Sequence, residues 1–473
     1  MVKNPGLMSN VNLSRKNAGL ALGPILFLLI LLSDIEGMSW EARSIAASTV
    51  WIACWWLTEA IPIPATSLLP IILFPLLGAL DAGKVTAEYG NQIIFLLIGG
   101  FFIAIAMEKW GLHIRIALLI IRTIGTSPRK TIAGFMAATA FISAWISNTA
   151  TAMMMVPIAT AIIYQASKAG EDKNFNTAIM LSVAYAASIG GIATIIGTTP
   201  NLIFAGIYRT FYSSEITFLQ WASFGFPLAF FILIVCWIYL VYIAYPPRIK
   251  VLGDGINEEI RRLGKITIQE RRVLVIFLLA AALWITRVLW GKYLPMIMDS
   301  SIAIFCGFLL FLIPARKGEG LLIWKDALRL PWDVVLLLGG GLAIAKGFTE
   351  TGLDGWIAQH LLFLKDMPAV VIILAVVTLT IFLTEITSNT ATATIILPVT
   401  ASLAVALGMD PLGLMIAAAM SSSLAFMMPV ATPPNAIVFG TGYVTIPQMA
   451  KAGFWMNLLC IAIITLFVTL KLI

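Results

Sequence analysis

The chain has 473 residues, 60% of them hydrophobic and only 11% charged, with a formal net charge of +7 and a mean hydropathy of +0.97. That leaves too little polar surface to clothe a soluble protein of this length, and long continuous apolar runs exclude a β-barrel, so the chain is a polytopic all-α membrane protein. The basic excess sits in loops, where it orients spans in a bilayer and does not signal nucleic-acid binding.

In chain order, the segment from Met1 to Ala18 carries Lys3, Arg15 and Lys16 ahead of an apolar run to Leu32. The charge order is that of a signal peptide, but no small-residue cleavage site follows, and the segment is expected to stay as a first helix with a cytoplasmic N-terminus. Apolar runs predict eleven spans, at 20–35, 42–60, 62–80, 91–108, 176–208, 217–245, 272–291, 297–314, 331–350, 411–443 and 452–472. Two further stretches, 130–165 and 367–407, have polar, small-residue centres and are expected to be re-entrant hairpins, because broken backbone at membrane depth is tolerated only against protein or a water-filled cavity. Arg115, Arg122, Arg129 and Lys130, the linker 246–272 and Arg316, Lys317, Lys325 and Arg329 all fall on the cytoplasmic side of this count, and the C-terminus falls outside. The expected organisation is an N-terminal segment with the first helix (1–40), a first repeat (41–245), a cytoplasmic linker (246–272) and a second repeat (273–473). Gly253-Asp254-Gly255 in the linker suggests a turn.

The repeats are visible residue by residue. Ser147-Asn148-Thr149-Ala150-Thr151-Ala152 recurs as Ser388-Asn389-Thr390-Ala391-Thr392-Ala393, each string inside a hairpin. Pro157 and Pro398, Gly99-Gly100 and Gly340-Gly341, and Gly111 and Gly352 keep the same offset of 241 positions. Five spans separate equivalent points, so the second copy is expected inverted, an arrangement that places a transporter's site at the repeat interface near the midplane.

Each hairpin is followed by a second polar interruption. Gly197-Thr198-Thr199-Pro200-Asn201 breaks the span 176–208, and Ala431-Thr432-Pro433-Pro434-Asn435 breaks 411–443, since proline removes a helix donor. Broken helices expose carbonyls suited to a hard cation and N–H groups suited to an anion. No Asp, Glu, Lys or Arg occurs from Thr131 to Ser167 or from Pro411 to Ala450, and only Glu385 from Met367 to Gly408. A bound dianion would have to be compensated by helix ends and co-bound cations, which couples anion to cation.

These paired strings, the run Ser422-Ser423-Leu424-Ala425-Phe426-Met427-Met428-Pro429-Val430-Ala431 and the corner Thr58-Glu59-Ala60-Ile61-Pro62-Ile63-Pro64 resemble the divalent anion:sodium symporter family over nearly the whole chain. The resemblance implies a homodimer in the cell (plasma or inner) membrane, surrounded by lipid, with a fixed scaffold domain and a transport domain that moves as an elevator. It implies sodium (Na+) as coupling ion, with sites at Ser143, Ser147, Asn148 and Gly197 and at Thr384, Thr387, Asn389 and Ala431. Substrate carboxylates would sit between the tips, at Ser147, Asn148, Thr149, Ser388, Asn389 and Thr390, with Thr199, Thr432 and Pro433 lining the pocket. Two intact strings favour import of C4-dicarboxylates (succinate, malate, fumarate). Citrate, sulfate symport and exchange by an antiporter of the same family stay open as alternatives.

The remaining polar residues are assigned simpler roles. Glu385 is expected to hold its hairpin tip by hydrogen bonds in preference to tuning a cation site or coupling protons, since its counterpart is Ala144. Glu59 is expected to fix a helix corner, His113 and His360 to lie at surfaces or interfaces, and Trp51, Trp55 and Trp56 to pack or to form a dimer or lipid face. Cys54, Cys236, Cys306 and Cys460 lack metal or paired spacing. An intramembrane enzyme is not expected: there is no His-Glu-x-x-His helix, and Asp34, Asp299 and Asp333 fall at span ends. Occluding hairpins argue against a passive channel.

Overall fold

The computed structural model of the chain describes residues 5–168, 170–249, 255–316 and 318–471. Gly253 and Asp254 of the expected linker turn lie outside them. The described chain is almost entirely helical, and eight of its helices are long and apolar enough to cross a membrane.

The first helix, Pro5–Leu32, lies along Trp40–Thr58. Gly19 brings its backbone within reach of the Trp55 indole, whose Nε1 donates to the Gly19 carbonyl at 2.9 Å. Trp51 meets Phe27 at a tilt and the edge of Trp55, so of the roles expected for these tryptophans packing is the one seen at Trp51 and Trp55. Glu59 closes the second helix in the left-handed conformation (φ 51°), the corner anticipated from the prolines that follow it. The expected span 62–80 is instead two short helices, Ile63–Thr66 and Leu69–Leu76. Proline at 62, 64, 70 and 75 removes donors too often for one continuous ladder.

Two helices form the centre of the molecule, Gln92–Lys109 in the first half and Trp332–Thr351 in the second. Their glycines allow close backbone packing against the other half: Gly99 abuts Ala303 of helix Asp299–Leu312, and Gly340 abuts Ser67. Ion pairs clasp their ends, Lys109 to Asp326 at 2.6 Å and Glu350 to Lys84 at 2.7 Å. Each central helix turns at a left-handed glycine, Gly111 (φ 72°) and Gly352 (φ 73°), into a helix the sequence reading lacks, Leu112–Ile124 and Leu353–His360. His113 corrects the expectation for it. It is buried, with Nδ1 2.9 Å from the Met107 carbonyl. His360 is exposed and lies against Trp356.

The hairpins run Pro128–Ser143 to Asn148–Ser167 and Ala369–Thr384 to Asn389–Leu407. The first broken helix comprises Lys173–Gly191 and Thr199–Tyr212, and the second Pro411–Ser421 and Pro433–Gly440. Phe218–Ile238, Ile268–Trp290 and Ile446–Lys471 pack around them. Threonines 217 and 267 start two of these with capping boxes to Gln220 and Glu270. Helix Gly255–Leu263 of the linker packs on Leu112–Ile124, where Arg115 pairs with Glu270 at 2.9 Å.

Candidate functional site

Both tips are built by the same local rules. A serine at the start of each second arm turns its hydroxyl inward as a helix cap: Ser147 Oγ accepts from the Ala150 N–H at 3.3 Å, and Ser388 Oγ from the Ala391 N–H at 3.1 Å. The following asparagine is thereby fixed at the first helical position, with its side chain turned back toward the first arm. Ser143 Oγ donates to Asn148 Oδ1 at 2.7 Å and lies equally close to the Ala187 carbonyl. In the second half Thr384 Oγ1 meets Asn389 Oδ1 at 2.7 Å and the Ser422 carbonyl at 2.8 Å. Each hydroxyl has one proton for two acceptors, so each cluster is oxygen-rich.

The breaks add further oxygens. Asn201 Nδ2 donates to the carbonyls of Gly191 (3.1 Å) and Thr194 (2.7 Å), and Asn435 Nδ2 likewise to Ala425 (3.2 Å) and Met428 (3.1 Å). A Cβ on Gly197 would lie 2.5 Å from the Gly191 oxygen and 3.1 Å from the Ala144 oxygen, so only glycine lets the backbone approach these carbonyls so closely. Ser188 Oγ and Asn201 Oδ1, and their counterparts Ser423 Oγ and Asn435 Oδ1, are buried without a hydrogen-bond partner. Such a donor set of hydroxyl, amide and carbonyl oxygens fits a hard monovalent cation.

Support differs between the halves. The Thr194 hydroxyl hydrogen-bonds the Ala144 carbonyl at the first tip. At the second, the Glu385 carboxylate accepts from the N–H groups of Phe426 (2.6 Å), Met427 (2.9 Å) and Met428 (3.2 Å) and from Asn457 Nδ2 (2.8 Å). It holds the tip to the break, the structural role expected for it. Tyr185 OH, from helix Lys173–Gly191, donates to the Phe426 carbonyl at 3.2 Å and ties the first broken helix to the second break.

Between the tips lies a cavity of about 560 Å³. Ser147, Asn148, Thr149, Ser388, Asn389, Thr390, Thr199, Thr432 and Pro433 all line it, as do Gly197 and Ala431. Ser143 and Thr384 are fully buried. Thr387 stands apart: it is not among the residues lining the cavity, and its hydroxyl is engaged by the Leu383 carbonyl and Thr392 Oγ1. Four helix N-termini, at Asn148, Thr199, Asn389 and Pro433, meet at this cavity. At roughly half a charge each they sum to about two positive charges, the complement of a dianion. One face of Gln92–Lys109 (Leu97, Phe101, Ala104, Ile105, Glu108) leads from the tips to a mouth carrying Glu108, Arg329 and Asp333, the only charged side chains among the described lining residues. The sequence reading missed Asn201, Asn435 and the Ala187 and Ser422 carbonyls, although the repeated Pro-Asn pair was a visible signal for the asparagines.

The architecture defines a multi-pass membrane protein with a polar, largely uncharged site between two equivalent hairpin tips. Residues 15–471 match the sodium:sulfate symporter transmembrane region, and the chain belongs to that family. It is 48% identical over 467 residues, 95% of this chain and 90% of the relative, to the sodium-dependent dicarboxylate transporter SdcS of Staphylococcus saprophyticus. The protein of the same name from Staphylococcus aureus is 47% identical over the same shares. Among solved structures, the Alcanivorax borkumensis YdaH transporter (TM-score 0.59, 14% identity, 89% of this chain and 98% of that one) and Neisseria gonorrhoeae MtrF (TM-score 0.56, 13% identity, 82% and 83%) share the fold.

Proposed function

We propose that this chain imports C4-dicarboxylates such as succinate, malate or fumarate together with sodium. The observation that carries the reading is the meeting of two Ser-Asn-Thr tips and four helix N-termini at one cavity whose deep part has no basic side chain. Each tip offers an asparagine amide and a threonine hydroxyl to one carboxylate, with sodium bound in the oxygen cluster behind it. The anion then depends on the cations for compensation, which is the basis of coupling. The names and high identity of the staphylococcal relatives support the substrate class and the ion.

In this proposal the N-terminus is cytoplasmic, the cavity mouth at Glu108 and Arg329 faces the cytoplasm, and the conformation is inward-open. The hairpins and broken helices move as the transport domain of a homodimer against a scaffold containing the first helices. The test is uptake of radiolabelled succinate into proteoliposomes with an inward sodium gradient or with choline. Sodium-dependent uptake suppressed by dicarboxylates but not by sulfate is expected. Asn148→Ala and Asn389→Ala should each weaken succinate roughly 10- to 100-fold, from the loss of a hydrogen bond to a charged group. Uptake in choline that requires internal dicarboxylate would instead establish an exchanger.

A further inference from the structure

Beside the different supports of the two tips, the halves differ in the helices that follow the breaks. In Thr199–Tyr212 the residues Leu202 and Gly206, four apart on one face, are both buried. Gly206 packs so closely on Leu342 of the central helix Trp332–Thr351 that a Cβ would overlap the Leu342 methyl, and Ile93 closes the same contact at 3.4 Å. In Pro433–Gly440 the corresponding residues, Ala436 and Gly440, are exposed, and a Cβ on Gly440 would meet nothing within 4 Å. The repeat equivalents of Leu342 and Ile93 are Phe101 and Val334, and both line the open cavity. One half therefore has a seated helix, and the other has the same two surfaces parted.

We propose that Phe101 and Val334 form the seat for Gly440, and that helix Pro433–Gly440 docks there in the opposite-facing state while Gly206 leaves Leu342. The reasoning rests on the alternating-access reading above and adds the surfaces that meet. Glycine is required at both positions because only a residue without a Cβ lets a bulky apolar side chain of the facing helix reach the backbone. The absence of a side chain at Gly440, unused in this conformation, is explained by a contact made in the other. The stripe Leu97–Phe101–Ala104 then serves as wall of the open cavity in one state and as a helix–helix interface in the next.

The test uses paired cysteines in the full-length protein, whose four native cysteines are all buried. In proteoliposomes under turnover conditions, Phe101→Cys with Gly440→Cys should cross-link under a short bifunctional reagent, and transport should stop until the link is reduced. Leu342→Cys with Gly206→Cys should cross-link as well, and conditions that enrich one link should deplete the other. Gly440→Leu should leave the unfolding temperature unchanged, since the site is open here, yet slow transport at least tenfold. Adding Phe101→Ala, which makes room for the new side chain, should restore much of the rate. Failure of the 101–440 pair to link in protein that is actively transporting, or full activity of Gly440→Leu, would overturn the proposal. Cross-linking reads the interface without reference to substrate, so an error in the assigned substrate would leave this result interpretable.

Discussion

The two hairpin tips place the same atoms in the same relation but are held by different means. At the first, a threonine hydroxyl and close-packed glycines at 191 and 197 suffice. At the second, the break is longer, running from Ser422 to Thr432, and its N–H groups are gathered by the Glu385 carboxylate, which stands where the first half has Ala144. Duplication has preserved the oxygens that would bind ligand and let the scaffolding diverge. The cost of a substitution should therefore follow its support and not its place in the repeat.

The largest expected contrast is at that support. Glu385→Ala leaves three N–H groups and the Asn457 amide without their acceptor, and at about 1–3 kcal/mol for each unsatisfied buried group the loss should exceed roughly 3 kcal/mol. A clear drop in the unfolding temperature in detergent and loss of sodium-driven uptake are expected, with part of both recovered by Glu385→Gln. Wild-type stability in Glu385→Ala would show that the clamp is not what holds the second tip.

An intermediate contrast concerns the carbonyl cradle. Gly197→Ala inserts a Cβ 2.5 Å from the Gly191 oxygen, whereas the equivalent position already carries one as Ala431. The sodium concentration for half-maximal uptake should rise about tenfold in Gly197→Ala, about 1.4 kcal/mol, and change less than about twofold in Ala431→Gly. Equal effects would mean that the two cradles have the same shape.

The smallest contrast is at the caps of the broken helices. Asp172 accepts from the N–H groups of Asn174, Phe175, Arg248 and Ile249, while Asp410 accepts only from Leu412 among the described contacts. Burial alone would raise the Asp172 carboxyl, but these four N–H bonds outweigh it and hold it below its ordinary value. A carboxylate depressed on folding contributes stability above the unfolded value near about pH 4, lost as pH falls through the folded one. Asp172→Ala should cost about 1 kcal/mol at neutral pH, more than Asp410→Ala, and the difference from wild type should vanish in acid. Thermal unfolding across pH 3–7 measures it, and a gap that persists in acid would assign the loss to packing.

Much of this was legible because polar residues inside apolar runs are costly and hence informative. The Ser-Asn-Thr strings and the proline breaks marked the cavity lining directly. What the sequence concealed depends on contacts distant in the chain. The partners of Glu385 lie at 426–428 and 457, and the Ala187 and Ser422 carbonyls have no side-chain signature. Helix Leu112–Ile124 escaped because its 13 residues, interrupted by His113, Arg115 and Arg122, are too short and too polar to read as a span. His113 is buried by the fold around it, which its charged neighbour in sequence gives no hint of.

The glycine contact at the centre of the molecule has a consequence for biosynthesis. Gly99 packs against Ala303, about 200 residues later in the chain, so at roughly 5–20 residues per second its partner is not made for some ten to forty seconds. Throughout that interval the first half sits in the bilayer with a small-residue stripe uncovered and available to any passing helix. Timely synthesis of the second half, or an insertase that shields that stripe, is as much a condition of obtaining this carrier as the stability of the finished fold.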